Sequence, residues 1–371
     1  MRSDLSIAIA ETEEERRSVY RFRYDIYVEE MGRYRSVADH GQRMLIEPSD
    51  AESRLFYSAA EERVVATARV TWGGDAPLPE RMIEQYSLRP FLAELAEDAI
   101  AVVERGMVAP RLRGTDLFLR LVGTLLRFCN DRRVQLVFGD CEPHLLNLYL
   151  GLGYRTYSEK NVNSPEAGYL IPIVFVLEDL PYLRYLKSPM LEYLRDFGDD
   201  RRRSKCVDRL IEEGGAVMSR RLVSPADYWA EVHGALSELD GNRISALDGL
   251  SEEDAAVCLE KSTIIECATG DHVLKKGGVA RNLFVVLDGT VEVRDGDATL
   301  AVLGPGDVFG EMAFLLERPR SRDVYAASDG VRILSLSEAT LRKLIESDPA
   351  IAAHLLLNIS KMLCLRLLKD R

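Results

Sequence analysis

Two kinds of hydrophobic pattern divide the chain. In the front half, the apolar runs RLFYSAA and RVVATARVTW flank a polar turn at Glu61-Glu62 and predict a β-hairpin. Further along, AIAVVERGMVAP and VQLVFGDC predict strands, and residues 111–133 between them predict a glycine turn that opens a long amphipathic helix. Strands that alternate with helices indicate an α/β front half that ends near residue 185.

Other segments complete the front-half pattern. Residues 12–31 and about 80–97 show helical periodicity, and EPHLLNLYLGLGYRTY predicts a helix that stops at Gly153 and returns as a strand. The run GYLIPIVFVLEDL is almost wholly apolar and predicts a buried strand. Tyrosines spaced by four and three residues predict a core-facing stripe on the first helix: Tyr20, Tyr24 and Tyr27.

The pattern changes after residue 185. Residues 186–247 are polar and predict a helical linker. From residue 248, short β-rich runs recur between closely spaced glycines, which is typical of a small antiparallel barrel or jelly roll. Residues 337–369 predict closing helices. We therefore expect three parts, at residues 1–185, 186–247 and 248–371.

Composition narrows the function classes. The 371 residues carry a formal net charge of -12, which argues against a nucleic-acid partner and against an anionic membrane surface. No apolar run approaches the ~20 residues needed to span a bilayer. The six cysteines are scattered and include no CxxC pair. We therefore expect buried free thiols in a cytoplasmic protein, with no disulfide framework and no metal site.

The segment FGEMAFLLERPRSR carries candidate ligand chemistry. Gly310 permits a close turn, so that the helical turn after it presents N–H donors to an anion. Arg320 supplies a planar cation for a phosphate, and Ser321 adds a hydroxyl donor. Glu311 is unfavourable beside a phosphate but can accept a hydrogen bond from a sugar hydroxyl. A ligand with one phosphate and one ribose hydroxyl fits these residues.

With these residues in place, the segment 248–371 resembles a cyclic nucleotide-binding domain. The resemblance covers GDHVLKKGGVARNLFVVLDGTVEV, GPGDVFGEMAFL, PRSR and the closing helices. It implies a jelly roll with C-terminal helices that binds a regulatory nucleotide, with cyclic AMP favoured over cyclic GMP. It also implies which residues contact the cyclic phosphate and ribose: Gly310, Glu311, Arg320 and Ser321.

The same resemblance implies a moving lid and shows one departure. Residues 349–368 would form the lid helix over the nucleotide. Arg322 and Asp323 stand where the family often has small or hydroxyl residues, and an inward-facing Asp323 would repel a phosphate. No helix-turn-helix follows in this sequence, so we expect the domain to regulate the front half.

The front half contains a second candidate anion site. In VVERGMVAPRLRGTDLF a strand leads into a glycine turn and a helix start, where main-chain amides can bind a pyrophosphate: Arg113, Gly114, Thr115 and Asp116. Helix capping by Thr115 or Asp116 is the alternative. Further along, LNLYLGLGYRTY has an aromatic residue before a Leu-Gly-aromatic-Arg turn. On both motifs, residues 5–180 resemble the GNAT acyltransferase superfamily, an α/β (α+β) fold.

Within that superfamily the front end resembles acyl-homoserine-lactone synthases and N-acyl amino acid synthases. The residues behind this are RRSVYRFRYDIYVEEMGR, ATARVTWG and three acidic positions: Asp39, Asp50 and Glu104. The resemblance implies an acyl-CoA or acyl-carrier-protein donor and a small-molecule amine acceptor. It assigns Glu104 as the general base or amine-orienting group and Tyr149 as the proton donor to the leaving thiolate. The remaining implied contacts are the backbone at Met107 and Val108 for pantetheine, and Arg23 and Arg69 for the acceptor or for structure.

Departures from this pattern narrow the activity. Lactone synthases have an arginine three residues after the strand glutamate, where this chain has Met107, and their early tryptophan is missing. We therefore favour N-acylation of an amino acid or another small amine. Cys141 needs no role as a nucleophile, because an amine attacks a thioester directly. A cyclic-nucleotide-controlled protein lysine acetyltransferase and a catalytically inactive sensor stay open, and an acyl-carrier protein and a second copy of the chain are candidate partners.

Overall fold

The computed structural model divides the chain into two compact units. The first comprises Met1–Cys141, Tyr149–Ser158 and Pro172–Gly214, and the second comprises Glu142–Leu148, Glu159–Ile171 and Gly215–Arg371. The structure describes residues 5–142, 145–158, 162–164, 168–195, 204–212, 217–219, 232, 234–235, 246–258, 262–277, 282–316 and 318–369.

A large mixed sheet is the framework of the front half, as expected for an α/β fold. Its strands are β1 (Ala8–Ile9), β2 (Arg54–Ala60), β3 (Arg63–Trp72), β4 (Ile100–Val108), β5 (Leu136–Cys141), β6 (Tyr154–Thr156), β7 (Val162–Ser164) and β8 (Gly168–Val176). The spatial order is β1-β2-β3-β4-β5-β8-β6, with β7 paired to β8. The predicted hairpin is confirmed, because β2 and β3 are antiparallel and turn at Glu61 and Glu62. Both turn residues have positive φ, which matches the twist of the strands.

Seven helices accompany this sheet in the described residues: α1 (Glu13–Arg23), α2 (Glu80–Gln85), α3 (Arg89–Leu92), α4 (Leu117–Asp131), α5 (Leu146–Leu152), α6 (Leu180–Tyr185) and α7 (Lys205–Glu212). Helix α1 starts at a capping box, in which Thr12 Oγ1 accepts from the Glu15 amide at 3.3 Å and the Glu15 carboxylate accepts from the Thr12 amide at 2.8 Å. It continues into a π-helical turn at Tyr24–Glu30. Short 3-10 turns lie at Pro48–Asp50, Glu97–Ala99, Pro110–Leu112 and Pro189–Tyr193.

Strands β4 and β5 diverge in the middle of the sheet. They pair in parallel from Ile100 opposite Leu136 to Val103 opposite Gly139. Beyond that point β4 continues along β3 as far as Val108. A Cβ atom built on Gly139 would lie 2.9 Å from the Val103 carbonyl oxygen, so the close approach at the last shared pair requires a glycine. Past this pair the two strands are no longer joined in the ladder, and we call the region between them the cleft.

The second unit contains two antiparallel sheets. Its strands are β9 (Val217–Ser219), β10 (Thr263–Cys267), β11 (His272–Leu274), β12 (Asn282–Asp288), β13 (Val291–Asp295), β14 (Ala298–Leu303), β15 (Val308–Phe309), β16 (Asp323–Ala326) and β17 (Val331–Ser337). One sheet has the order β15-β12-β17-β10-β9, and the other has the order β11-β16-β13-β14. This is the predicted jelly roll.

In the described residues of the second unit, four further helices have both ends defined: α8 (Glu252–Cys258), α9 (Glu311–Leu316), α10 (Glu338–Ser347) and α11 (Pro349–Lys369). The predicted closing helices are therefore confirmed. Leu355 and Ile359 of α11 lie in one buried cluster with Leu283 and Val285 of β12. Burial of these aliphatic side chains holds the last helix against the five-stranded sheet.

Two expected helical regions differ in the structure. The region 80–97 is interrupted, because Ser87 has a φ of +51° between α2 and α3, and Pro90 lies in the first turn of α3 and lacks an amide hydrogen. Most of the predicted linker 186–247 lies outside the described residues. Within it, β9 is a strand rather than a helix, because its residues pair with β10.

None of the described helices is both long enough and apolar enough to cross a bilayer.

The close approach at Gly139 makes a testable prediction for stability. We expect Gly139→Ala to lower the free energy of unfolding by about 1–3 kcal/mol, because the new methyl group would force β4 and β5 apart. Urea titration followed by circular dichroism measures this. Gly106→Ala is the matched control on β4, because its Cβ would meet Phe118 at 3.8 Å, an ordinary contact. Equal losses in the two variants would contradict the packing argument.

Candidate functional sites

The first candidate site lies where β4 and β5 part. Glu104 follows the last shared pair on β4, and its side chain is 8% exposed. Its Oε2 accepts a hydrogen bond from Arg69 Nη2 at 2.7 Å, and its Oε1 accepts one from the Tyr86 hydroxyl at 3.2 Å. The structure thus places the predicted general base in the cleft, with one oxygen fixed by a guanidinium group.

A buried charge network supports Glu104. Arg69 Nη1 donates to Glu47 Oε2 and to Asp50 Oδ1, both at 3.2 Å, and Arg23 Nη1 donates to the same Asp50 oxygen at 2.7 Å. Both arginine side chains are fully buried. A buried charge is tolerated only when it is paired, so these contacts fix one another's positions.

The network shifts the pKa values of its members. Burial alone would raise the pKa of Glu47, but hydrogen bonding to Arg105, the charge of Arg105 and the charges of Arg69 and Arg23 bring it down to about 2. Burial likewise opposes the charge of Arg69, but the carboxylates of Glu104 and Glu47 raise its pKa above the usual value. Glu47 therefore stays ionised at neutral pH.

A β-bulge separates Glu104 from the end of β4. Met107 lies opposite Thr67, whereas Glu104 lies opposite Arg69, so β4 has one residue more than β3 over this stretch. Arg105, inside the bulge, has a φ of +58°, which is rare for a residue with a side chain. Arg105 thus lies within the bulge and pairs with Glu47, while Met107 stands where the resemblance implied an arginine.

The side chain of Arg105 is held from two sides. Its Nε and Nη2 donate to the two oxygens of Glu47 at 2.7 and 2.6 Å. Its guanidinium group lies over the rings of Tyr27 and Tyr34, at 5.6 and 5.0 Å from their centroids. Tyr27 of the predicted stripe thus contacts the site, while Tyr20 and Tyr24 are buried as predicted.

Four residues of this site were missed by the sequence reasoning: Glu47, Tyr86, Arg105 and Asp140. Asp39, one of the acidic positions behind the resemblance, lies in a surface loop and accepts from the Gln42 amide at 2.9 Å. A signal for Glu47 exists, because Glu-Pro-Ser-Asp forms a short capping box in which the Glu47 amide donates to Asp50 at 2.7 Å. Tyr86 and Asp140 are far apart in sequence and carry no local signal.

Tyr149 faces the bulge from α5. Its ring packs edge-on against Phe118 and Tyr154, with centroids 6.0 and 5.3 Å away. A Cβ atom built on Gly106 would lie 3.9 Å from its hydroxyl oxygen. Burial raises the pKa of Tyr149 well above its usual value, so the phenol stays protonated and can act as a donor.

The other front-half candidates surround the start of α4. Met107 and Val108 are buried on β4. Arg113 Nε donates to the Val108 carbonyl oxygen at 3.2 Å, and its two terminal nitrogens bind Glu30 at 2.6 and 2.9 Å. The predicted pantetheine contact at Val108 therefore already has one side-chain donor, and Arg113 is engaged with a carboxylate.

The glycine turn itself is open. Gly114 has a φ of +81°, and an added Cβ would meet nothing within 4 Å. Thr115 Oγ1 accepts from the Leu117 amide at 3.3 Å, whereas Asp116 makes no side-chain cap. Thr115 thus takes the capping role, and Gly114 leaves the main chain accessible from outside.

The second candidate site centres on Arg320, which is 5% exposed in the second unit. Its Nη1 donates to the Gly310 carbonyl oxygen at 2.7 Å. Within the described residues, its Nε and Nη2 have no hydrogen-bond partner. Burial lowers its pKa to about 10, against the opposing charges of Glu311 and Glu142. A buried guanidinium group with unsatisfied donors creates a strong demand for an anion.

Gly310 fits closely against this arginine. It has a φ of +81°, and an added Cβ would lie 2.6 Å from Arg320 Nη1 and 2.9 Å from the Asn282 carbonyl oxygen. Any side chain at this position would therefore displace the guanidinium group. Ser321, the next predicted contact, is exposed.

Glu311 begins α9 and faces the last helix. Arg366 Nη1 of α11 lies 3.9 Å from Glu311 Oε1, and Arg366 Nη2 donates to the Val308 carbonyl oxygen. The predicted ribose-binding carboxylate is thus paired with the helix that the sequence identified as a lid.

The Asp323 carboxylate already accepts two hydrogen bonds. Its Oδ1 accepts from His272 Nε2 and from the Lys276 amide, both at 2.9 Å. Along β16 it alternates with the buried Val324, which places it on the opposite face from that core residue. The expected repulsion of a phosphate by Asp323 therefore does not arise.

Metal ligation was not expected for this chain. Among the described residues, no cluster of three or more His, Cys, Asp or Glu side chains is placed to hold a metal ion.

Comparison with known proteins supports the nucleotide-binding domain. Residues 264–348 match the cyclic nucleotide-binding domain family. The cAMP-dependent protein kinase type II regulatory subunit of Drosophila melanogaster is 32% identical over 80 residues, which is 20% of this chain and 21% of that protein. Glutaminase 2 of Bradyrhizobium diazoefficiens is 32% identical over 177 residues, which is 46% of this chain and 26% of that protein. The chain thus spans about a fifth to a quarter of these curated relatives.

The front half has a distant structural neighbour. The structure of the CoA-dependent acyl-homoserine lactone synthase BjaI with SAM and isopentyl-CoA covers 54% of this chain and 93% of its own, with 17% identity and a TM-score of 0.37. So distant a likeness carries no conclusion about the front half. The C-terminal part of the chain, in contrast, contains a cyclic nucleotide-binding domain, as predicted.

The depressed pKa of Glu47 predicts a pH-dependent stability. Ionised Glu47 contributes most to the free energy of unfolding above its unfolded pKa of about 4.5. This contribution is lost as the pH falls through the folded pKa of about 2. We expect Glu47→Gln to cost about 3 kcal/mol at pH 7, at about 1.4 kcal/mol for each pKa unit, and to cost little near pH 2. Urea titration at several pH values measures this. The control is Glu29→Gln, because Glu29 forms an exposed pair with Arg43. A loss of stability in Glu47→Gln that does not change with pH would contradict the prediction.

Proposed function

We propose that the front half transfers an acyl group from a thioester to an amine, and that a cyclic nucleotide bound to the C-terminal domain regulates this transfer. The observation that carries the proposal is the carboxylate of Glu104 at the divergence of β4 and β5, where an arginine fixes one oxygen and the other faces the cleft residue Tyr86. A positioned carboxylate in a cleft is what an attacking amine requires.

The proposed step is direct attack of the amine on the thioester. The nitrogen forms a bond to the carbonyl carbon, its proton passes to Glu104, and the carbon–sulfur bond breaks. Tyr149 gives its proton to the leaving thiolate, since its phenol is protonated and lies near the bulge. The products are an amide and a free thiol, and the proton on Glu104 later restores Tyr149 through solvent.

Binding of the donor is supported by the strand edge and by the glycine turn. Beyond Val103, β4 no longer pairs with β5, so an extended pantetheine arm could bind this edge at Met107. A contact at the Val108 carbonyl oxygen would require Arg113 to give up its hydrogen bond there. Of the four predicted turn amides, those of Arg113 and Thr115 already donate to the Pro110 and Leu112 carbonyl oxygens, both at 3.3 Å, so the amides of Gly114 and Asp116 would bind the phosphate groups. Both features suit acyl-CoA or an acyl-carrier protein, and a small-molecule amine completes the reaction.

Regulation is supported by the unsatisfied donors of Arg320. A cyclic phosphate would accept from Nε and Nη2, while Gly310, which has no side chain, lets the guanidinium group lie close to the main chain. Glu311 would accept from the ribose hydroxyl. Cyclic AMP is the proposed ligand.

The catalytic assignment predicts a large loss of turnover in Glu104→Gln. We expect kcat/KM to fall about 100-fold or more, because the amide cannot take the proton from the amine. Release of free thiol from acyl-CoA donors, measured over a panel of small amines and a lysine peptide, tests this. The exposed Glu29→Gln is the control, since it lies in a surface ion pair with Arg43.

The outcomes separate the candidate functions. Turnover with small amines and dependence on Glu104 support the proposal, whereas turnover with the lysine peptide alone would favour a protein acetyltransferase. No turnover with any acceptor, with or without nucleotide, would overturn the enzymatic assignment and favour a sensor.

The nucleotide site predicts that Arg320→Ala removes ligand binding. We expect the affinity for cyclic AMP to fall about 10-fold to 100-fold, because two charge-assisted hydrogen bonds are lost. Isothermal titration calorimetry with cyclic AMP and cyclic GMP measures this. Arg318→Ala is the matched control, because Arg318 is exposed two residues away. Unchanged affinity in Arg320→Ala would contradict the assignment.

A further inference from the structure

A second carboxylate lies across the cleft from Glu104. The last shared pair of β4 and β5 is Val103 with Gly139, so the next residues, Glu104 and Asp140, stand opposite each other where the strands part. The Tyr86 hydroxyl lies between them, 3.2 Å from Glu104 Oε1 and 2.6 Å from Asp140 Oδ2. Tyr86 is 1% exposed, so its hydroxyl cannot exchange either contact for bulk water.

One hydroxyl cannot donate to two carboxylates at once. A phenol has one hydrogen and can also accept, so the three groups form a chain with one direction at a time. The shorter contact places the hydrogen toward Asp140, which leaves the Tyr86 oxygen able to accept from a protonated Glu104. Burial, followed by the charges of Asp140 and Glu104, raises the pKa of Tyr86 well above its usual value, so the phenol is not ionised on its own.

The surroundings of the two carboxylates differ. Glu104 faces the guanidinium group of Arg69, whose other contacts are Glu47 and Asp50. The contacts of Asp140 include the neutral donors Tyr86 and, at 3.5 Å, Gln85. Further titratable groups interact electrostatically with Tyr86 or with Asp140, or adjoin Asp140 in the chain: Arg105, Tyr34, Tyr149, Tyr157 and Cys141. Asp140 is half-buried and so reaches solvent at the cleft.

We propose that Tyr86 and Asp140 form a proton relay, which removes the proton from Glu104 after Glu104 has taken it from the acceptor amine. This proposal rests on the proposed acyl transfer. The amine proton passes to Glu104 Oε1. Glu104 then gives a proton to the Tyr86 oxygen as Tyr86 gives its own proton to Asp140, which releases it to water. No electron is transferred and no co-reactant is needed, and Glu104 and Tyr86 return to their starting forms. Asp140 is a positioning residue in this scheme, since it acts on the amine only through Tyr86 and Glu104.

Two substitutions test the relay through the pH dependence of kcat/KM. Asp140→Asn removes a neighbouring negative charge, so the acid limb should move to lower pH while the plateau falls about 10-fold to 100-fold. Tyr86→Phe removes the hydroxyl that accepts from protonated Glu104, which disfavours the protonated form, so the acid limb should also move to lower pH with a similar fall. A purely structural role would lower the plateau without moving the acid limb.

Tyr157→Phe is the matched control. The Tyr157 hydroxyl donates to the Tyr86 carbonyl oxygen at 2.7 Å, so this change removes a neighbouring phenol without touching the chain of three groups. Its pH profile should match that of the unaltered protein. Asp140→Glu should restore part of the rate lost in Asp140→Asn, and circular dichroism confirms that each variant is folded.

Infrared difference titration of the carboxyl groups in substrate-free protein separates failure of the relay from failure of the proposed function. The Glu104 signal, identified by its loss in Glu104→Gln, should titrate at lower pH in both Asp140→Asn and Tyr86→Phe, and at an unchanged pH in Tyr157→Phe. If the protein has no turnover with any amine, the proposed function fails while this titration still decides whether the three groups are coupled. An unchanged Glu104 titration, or an unchanged pH profile in both variants of an active protein, overturns the relay.

Discussion

The burial of Arg69 between three carboxylates is the constraint on which the front-half site depends. Arg69 lies on β3 and reaches Glu47, Asp50 and, across to β4, Glu104. A guanidinium group removed from water in this way loses several kcal/mol of hydration, which only well-placed carboxylates offset. Moving any one of the three carboxylates away would leave buried charge unpaired at a large cost in free energy, so all three are held in place. Glu104 is thereby held at the point where the strands part.

The bulge in β4 follows from the same constraint. The left-handed backbone at Arg105 costs roughly 1–3 kcal/mol and persists only because its surroundings determine it. Two sets of contacts hold Arg105 in this conformation: its bidentate pair with Glu47 and its position over two tyrosine rings. Glu47 thus links the strained residue to Arg69, so the contacts that offset the strain also fix the orientation of the site.

Local patterns predicted the elements, but not the contacts between them. The hairpin at Glu61-Glu62 and the long helix after Gly114 depend on neighbouring residues, and both were predicted from the sequence. The sequence also shows Met107 three residues after Glu104, but it cannot show the bulge or the pair of Arg105 with Glu47. The contact of Tyr86 with Asp140 joins positions 54 residues apart, which no periodicity or motif reports.

In the second unit the buried arginine has a carbonyl oxygen as its hydrogen-bond partner, because Arg320 Nη1 donates to Gly310. Arg320 keeps two donors unsatisfied among the described residues, whereas Glu311 near it is paired with Arg366 from the last helix. A nucleotide would add an acceptor for Arg320 and a competing donor for Glu311. A ligand shifts a conformational equilibrium only by its different affinity for the two states. Under the proposed regulation, Arg320 would therefore supply affinity, while an exchange of partners at Glu311 would supply the difference in affinity that moves α11. A phosphate contact alone would bind the nucleotide without changing the helix, so the proposed regulation would require both.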